Sequence, residues 1–94
     1  MVMTILNAAV QPERVGDLER TYRQGTTDLP PEIVETFLVR GGGSYFRIVT
    51  VWSSRAALDA MRSSGVTPRG VQIFQSVGAT PELAVLDVVV HREH

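Results

Sequence analysis

Cysteine is absent from this 94-residue chain. That excludes disulfides, thiolate nucleophiles, iron–sulfur clusters and Cys-based zinc sites together. Lysine is absent too. The nine basic residues are all arginines, scattered from Arg14 to Arg92 without a run, against ten acidic residues. A nucleic-acid binder concentrates positive charge to neutralise phosphates, so at net charge −1 nucleic acid is not an expected partner. No apolar run reaches the about 18 residues of a membrane-spanning helix. The opening Met1 to Val10 lacks the basic start of a signal peptide. A membrane is therefore not an expected partner either, and the expected location is the cytoplasm.

What is present is an ordinary globular composition, 44% hydrophobic and 20% charged, enough apolar surface to offset ordering entropy in one domain over residues 1–94. Thr4 to Val10 is short and apolar, a buried strand (β1) with Asn7 inside it. Pro12 suits a first helical position. Val15, Leu18 and Tyr22 then recur at helical spacing until Gly25 (α1). Leu29-Pro30-Pro31 is a connector. Ile33 to Arg40 (β2) and Tyr45 to Trp52 (β3) are rich in β-branched and aromatic residues and are joined by Gly41 to Ser44, a hairpin. That glycine run lacks the Lys-Ser/Thr ending and following helix of a phosphate cradle. Ser53 or Ser54 caps a helix whose apolar side is Ala56, Ala57, Leu58, Ala60 and Met61, ending at Gly65 (α2). Val66 to Gly70 is a turn, Val71 to Val77 reads as a short extra strand or extended arm, and Leu83 to His91 is the last long strand (β4).

The order β-α-β-β-α-β predicts a ferredoxin-like α+β fold: a four-stranded antiparallel sheet with two helices on one face. Both faces of the strands are apolar. In β4, Leu83, Val85 and Val89 oppose Ala84, Leu86, Val88 and Val90; in β3, Phe46 and Ile48 oppose Val49 and Val51; in β2, Val34 and Leu38 oppose Ile33, Phe37 and Val39. The helices cover one face only, so the other needs a second chain. A homodimer joined through the sheet faces is the expected partnership.

The segment Tyr45-Phe46-Arg47-Ile48-Val49-Thr50-Val51-Trp52-Ser53-Ser54-Arg55-Ala56-Ala57-Leu58, an apolar strand ending in Trp before a Ser-capped Ala/Leu helix, resembles the β3–α2 junction of the antibiotic biosynthesis monooxygenase family of the dimeric α+β barrel superfamily. By element order the resemblance covers almost the whole chain. It implies a pocket between sheet and helices. In the family's haem-degrading members an Asn on β1, a Trp on α2 and a His after α2 act together. Asn7 matches the first, Met61 stands at the Trp position, and the His position falls near Val71. With no His before His91, a haem axial ligand is missing, and no cofactor is expected. In the phenol-oxidising members a Trp ending β3 lines the pocket with an Asn and a Tyr. Trp52 matches, while Ile48 and Leu58 stand at the other two positions. The resemblance thus implies Asn7 and Trp52 as catalytic residues and Ile48, Leu58 and Met61 as pocket lining; Tyr22, which faces the sheet by spacing, is expected to line the pocket with them.

Each has a plainer role. Trp52 and Tyr22 are core aromatics by spacing, and Asn7 needs a hydrogen-bond partner wherever it is buried. Arg47 and Asp87 interrupt apolar strands. They read as an ion pair within the sheet or across the dimer, with a catalytic base at Asp87 as the sharper alternative. Glu35 reads as solvent-facing on an edge strand. His91 and His94 sit three apart at the tail, and no metal site is expected there.

The expected function is a cofactor-independent monooxygenase acting on, or binding, a small hydrophobic aromatic or polyketide-like molecule. The alternative is a non-catalytic homodimeric small-ligand-binding or structural module. An amino-acid-sensing ACT-type domain and an RNA-binding ferredoxin-like domain share the element order.

Overall fold

The computed structural model describes residues 1–94. The elements are β1 (Val2–Ala9), a 3-10 turn (Pro12–Arg14) running into α1 (Val15–Gly25), β2 (Ile33–Arg40), β3 (Tyr45–Trp52), α2 (Arg55–Ser63), α3 (Arg69–Ser76) and β4 (Glu82–Asp87). The strands form one antiparallel sheet in the order β2-β3-β1-β4, the ferredoxin-like arrangement that the element order predicts.

Local chemistry sets most boundaries. The Ser54 hydroxyl accepts the Ala57 N–H at 3.1 Å and starts α2, and Gly65, at φ +79°, turns the chain after its end. Arg14 ties α1 to α3 by donating to the Ser76 carbonyl at 3.0 Å.

Two of the expected elements are corrected. Val71 to Ser76 is helix, not strand, with Val77 as its C-cap. Ile73, Phe74 and Val77 are the segment's buried residues, a spacing that a helix places on one face, while Gln72, Gln75 and Ser76 are exposed or half-buried. Over seven residues the strand and helix periods are hard to separate. The helix wins because it lays Ile73 and Phe74 onto the sheet and α1. Gly70 makes that approach close: a Cβ there would stand 2.6 Å from Leu6 Cδ1. Secondly, β4 ends at Asp87, not His91. The Val88 N–H still reaches the Met1 carbonyl at 3.1 Å, but there the neighbouring strand runs out, and Val89 and Val90 are 89% and 78% exposed.

Register sorts the side chains. The helix-facing side carries Val2, Thr4, Leu6 and Ala8 from β1 opposite Trp52, Thr50, Ile48 and Phe46 from β3. The open side carries Met3, Ile5, Asn7 and Ala9 opposite Val51, Val49, Arg47 and Tyr45, with Phe37, Val39 and Leu86 exposed beside them. A register shift between Ile33 and Glu35 turns Ile33 to the helix side, away from Phe37 and Val39 with which simple alternation groups it. Glu35 is exposed on β2, an edge strand.

Candidate functional site

The space between sheet and helices is packed at one end and hollow at the other. A ten-residue cluster centred on Phe74, Leu18, Phe46 and Ile48 fills the first. A separate cluster of Val2, Trp52 and Leu58 closes the far end. Between them lies a cavity of about 330 Å³, at the small end of ligand pockets (about 300–1,000 Å³). Its floor is Thr4, Leu6, Ile48, Thr50 and Trp52 of the sheet. Tyr22 of α1, Leu58 and Met61 of α2, and Gly70, Val71 and Ile73 of α3 wall it. The mouth lies between the α1–β2 connection (Thr26, Leu29, Pro30) and the α2–α3 connection (Val66, Thr67, Pro68). Arg69 spans these rims, donating from Nη1 to the Gly25 and Asp28 carbonyls at 3.1 and 2.6 Å.

The cavity exists partly because three threonines occupy one rung of its floor. Thr50 lies opposite Thr36 on β2 and opposite Thr4 on β1, and a threonine fills less space than the Leu or Ile found one rung away. The rung is also polar. The Tyr22 hydroxyl donates to Thr36 Oγ1 at 3.2 Å, Thr36 and Thr50 share a hydroxyl contact at 3.3 Å, and Trp52 Nε1 donates to Thr4 Oγ1 at 3.1 Å. Hydroxyls both donate and accept, so the strip can orient a carbonyl or phenol laid across the apolar floor. No buried side-chain nitrogen or oxygen lacks a partner.

Trp52, Tyr22, Ile48, Leu58 and Met61 therefore meet around one cavity. Asn7 does not join them. It lies on the open face of the sheet, where its Oδ1 accepts from Arg47 Nε at 3.2 Å. The reason is strand parity: β1 turns its even-numbered residues to the helices, and Asn7 is odd. Thr4 and Leu6 are the β1 residues that reach the cavity. Arg47 and Asp87 do not pair within the chain. Asp87 accepts from Arg55 Nη2 at 2.8 Å on the surface, so it is no base for the cavity.

Neither the threonine rung nor the two arginines of the lining, Arg62 and Arg69, stands out in the sequence. Isolated threonines in apolar strands are a faint signal, and they become a strip only through register. The lining holds no Asp, Glu, Lys, His or Cys, hence no side chain that abstracts a proton readily at neutral pH. The charged groups held off their usual values lie elsewhere. Hydrogen bonds from Arg20, and next from Arg14, keep the Asp17 carboxyl below the usual carboxylate range, and the bond to Asp87 raises Arg55. No three His, Cys, Asp or Glu side chains gather to hold a metal ion.

Solved structures place this architecture. A variant of MhuD, with two manganese protoporphyrin IX molecules bound per active site, superposes with a TM-score of 0.74 over 100% of both chains at 19% identity. A Deinococcus radiodurans protein designated an antibiotic biosynthesis monooxygenase gives 0.73 over 100% of this chain and 98% of its own, at 10% identity. A variant of SnoaB, a cofactor-independent oxygenase from Streptomyces nogalater, gives 0.71 over 96% and 94%, at 16% identity. The chain has the fold of the antibiotic biosynthesis monooxygenases. No protein-family model and no curated protein matches its sequence. A porphyrin iron does not fit the residues here. The lining offers no imidazole or thiolate, and the Tyr22 hydroxyl is engaged with Thr36.

Proposed function

We propose that the chain is a cytoplasmic homodimer whose cavity takes a small hydrophobic aromatic molecule, of the polyketide-like kind, and exposes it to oxygen without a cofactor. The observation that carries this reading is the cavity itself, a Trp52-, Leu58- and Met61-walled space floored by a strip of hydroxyls. The shared fold with SnoaB supports it. The net change is the conversion of a ring CH2 to C=O: one atom of O2 becomes the carbonyl oxygen, and the other leaves as water with the two hydrogens. The substrate, as its own enolate or phenolate, supplies the electrons. The protein's part is to desolvate the ring, stack it against Trp52 and hold its oxygen on the threonine strip. Oxidation of a panel of anthrones to anthraquinones, compared with and without air, tests this. Turnover above the buffer rate that Thr50→Val reduces supports it; no acceleration with any member rejects catalysis.

A second reading, a non-catalytic binding module, is favoured by one observation: the lining lacks any base. Binding of the same panel without turnover selects it.

The sheet's open face supports the dimer. Phe37, Val39, Tyr45 and Leu86 are 40–53% exposed there. A folded monomer of this mass exposes about 5,400 Å², whereas the chain alone exposes 6177 Å². The excess, about 800 Å², includes the extended tail after Asp87 as well as the open face. Light scattering should give the mass of two chains, and Val49→Glu, at the centre of that face, should give one. A wild-type monomer overturns the arrangement.

A further inference from the structure

The cavity has one sign of charge. Its lining contains no carboxylate, yet two arginines belong to it, Arg62 from the last turn of α2 and Arg69 from the first of α3, both exposed at the mouth. Most of the other arginines are occupied. Arg14, Arg20 and Arg55 are paired with aspartates, Arg47 with Asn7, and Arg40 lies 4.8 Å above the Phe46 ring. Arg69 spends Nη1 on the Gly25 and Asp28 carbonyls, which fixes its guanidinium across the mouth and leaves Nη2 and Nε without a protein partner. Arg62 forms no hydrogen bond or ion pair with the protein; Asp59, one turn before it on the same helix, is not bonded to it. Of the arginines without a protein partner, Arg62 alone lines the cavity. A fixed guanidinium and a free one beside an apolar hole whose lining holds no carboxylate form a receptor for an anion attached to an apolar body.

We propose that the cavity recognises an aromatic acid: a ring system inserted over Trp52 and the threonine strip, with a carboxylate or similar anion left at the mouth on Arg62 and Arg69. The proposal rests on the cavity being a ligand site and names the class of ligand. The acid group orients the molecule, because only its far end then enters the apolar part. It also lets the ring be buried while the charge stays hydrated, which avoids the cost of burying an ion.

Two probes of nearly the same shape test it, 1-anilinonaphthalene-8-sulfonate and its uncharged counterpart N-phenyl-1-naphthylamine. Trp52 is the single tryptophan, so its indole N–H resonance reports occupancy of the cavity. The anion should bind roughly tenfold more tightly than the neutral probe at low salt, the scale of one charge-assisted hydrogen bond, and the margin should shrink as salt rises. Arg62→Gln should remove most of that margin and leave the neutral probe's affinity unchanged, while Arg62→Lys keeps part of it. Arg62 is exposed and unpaired, so neither variant should alter the circular dichroism spectrum. Equal affinities, or a margin unchanged in Arg62→Gln, overturn the acid subsite while the cavity stands. Failure of both probes to shift Trp52 overturns the cavity reading and the acid subsite together.

Discussion

The two ends of the helix–sheet layer are built from similar elements and do different things. At the packed end, α1 and α3 lie together on the sheet, and Phe74 and Leu18 are fully buried between them. At the hollow end, the nine-residue α2 covers the sheet with little more than Leu58, and the rung beneath is threonine. The packed end holds the domain together so that the hollow end can remain unfilled. A protein interior otherwise closes such spaces, because each unmade contact forfeits dispersion energy.

The contrast can be broken most severely at Phe74. Phe74→Ala should cost about 3–5 kcal/mol in urea unfolding, a large share of a small domain's stability. Met61→Ala, on the wall of an existing cavity and half-buried, should cost about 1 kcal/mol while enlarging the ligand space. Equal losses at the two sites would contradict the division. Next comes Trp52→Phe, which deletes the Nε1 donor to Thr4. A loss of about 1 kcal/mol is expected, with weaker binding of ring ligands by calorimetry.

Gly70→Ala probes the boundary between the ends. The added methyl meets the tip of Leu6, and Leu6 can swing into the cavity. Strain and gained helix propensity should nearly cancel, within about 1 kcal/mol, but cavity ligands should bind less well. A crystal structure with Leu6 unmoved would refute this account. The smallest effect lies at the surface clamp of the packed end. The folded-state value of Asp17 is depressed by Arg20 and Arg14, so its contribution is complete above the unfolded carboxylate range and fades as pH falls through the folded value. Asp17→Asn should lower Tm slightly at neutral pH and not at all in acid, and added salt should reduce the difference.

Much of this was legible from residue order. The Ser54 cap, the Pro30-Pro31 break, the Gly41–Ser44 hairpin and the apolar strands each act through near neighbours, so their sequence predicts them. Trp52 and Ile48 on the sheet, and Leu58, Met61 and Tyr22 on the helices, line one cavity because each sits on the inward side of its own element. Asn7 shows where that reasoning stops. β1 is apolar at odd and even positions alike, and only pairing with β3 decides which set faces the helices. A one-residue change of parity moves a side chain from the cavity to the open face. The α3 segment failed for a related reason: seven residues satisfy either period, and the choice depends on what they must cover.

The sequence by itself determined the α+β order, the doubly apolar sheet and the absence of thiol chemistry, since these depend on composition and short-range periodicity. Tertiary structure alone decided that Thr4, Thr50 and Thr36 share a rung, that Asn7 turns away, and that Arg62 and Arg69 both line one cavity. The threonines lie far apart along the chain, and the two arginines sit on different helices. Strand register and helix placement, which no local pattern encodes, bring them together.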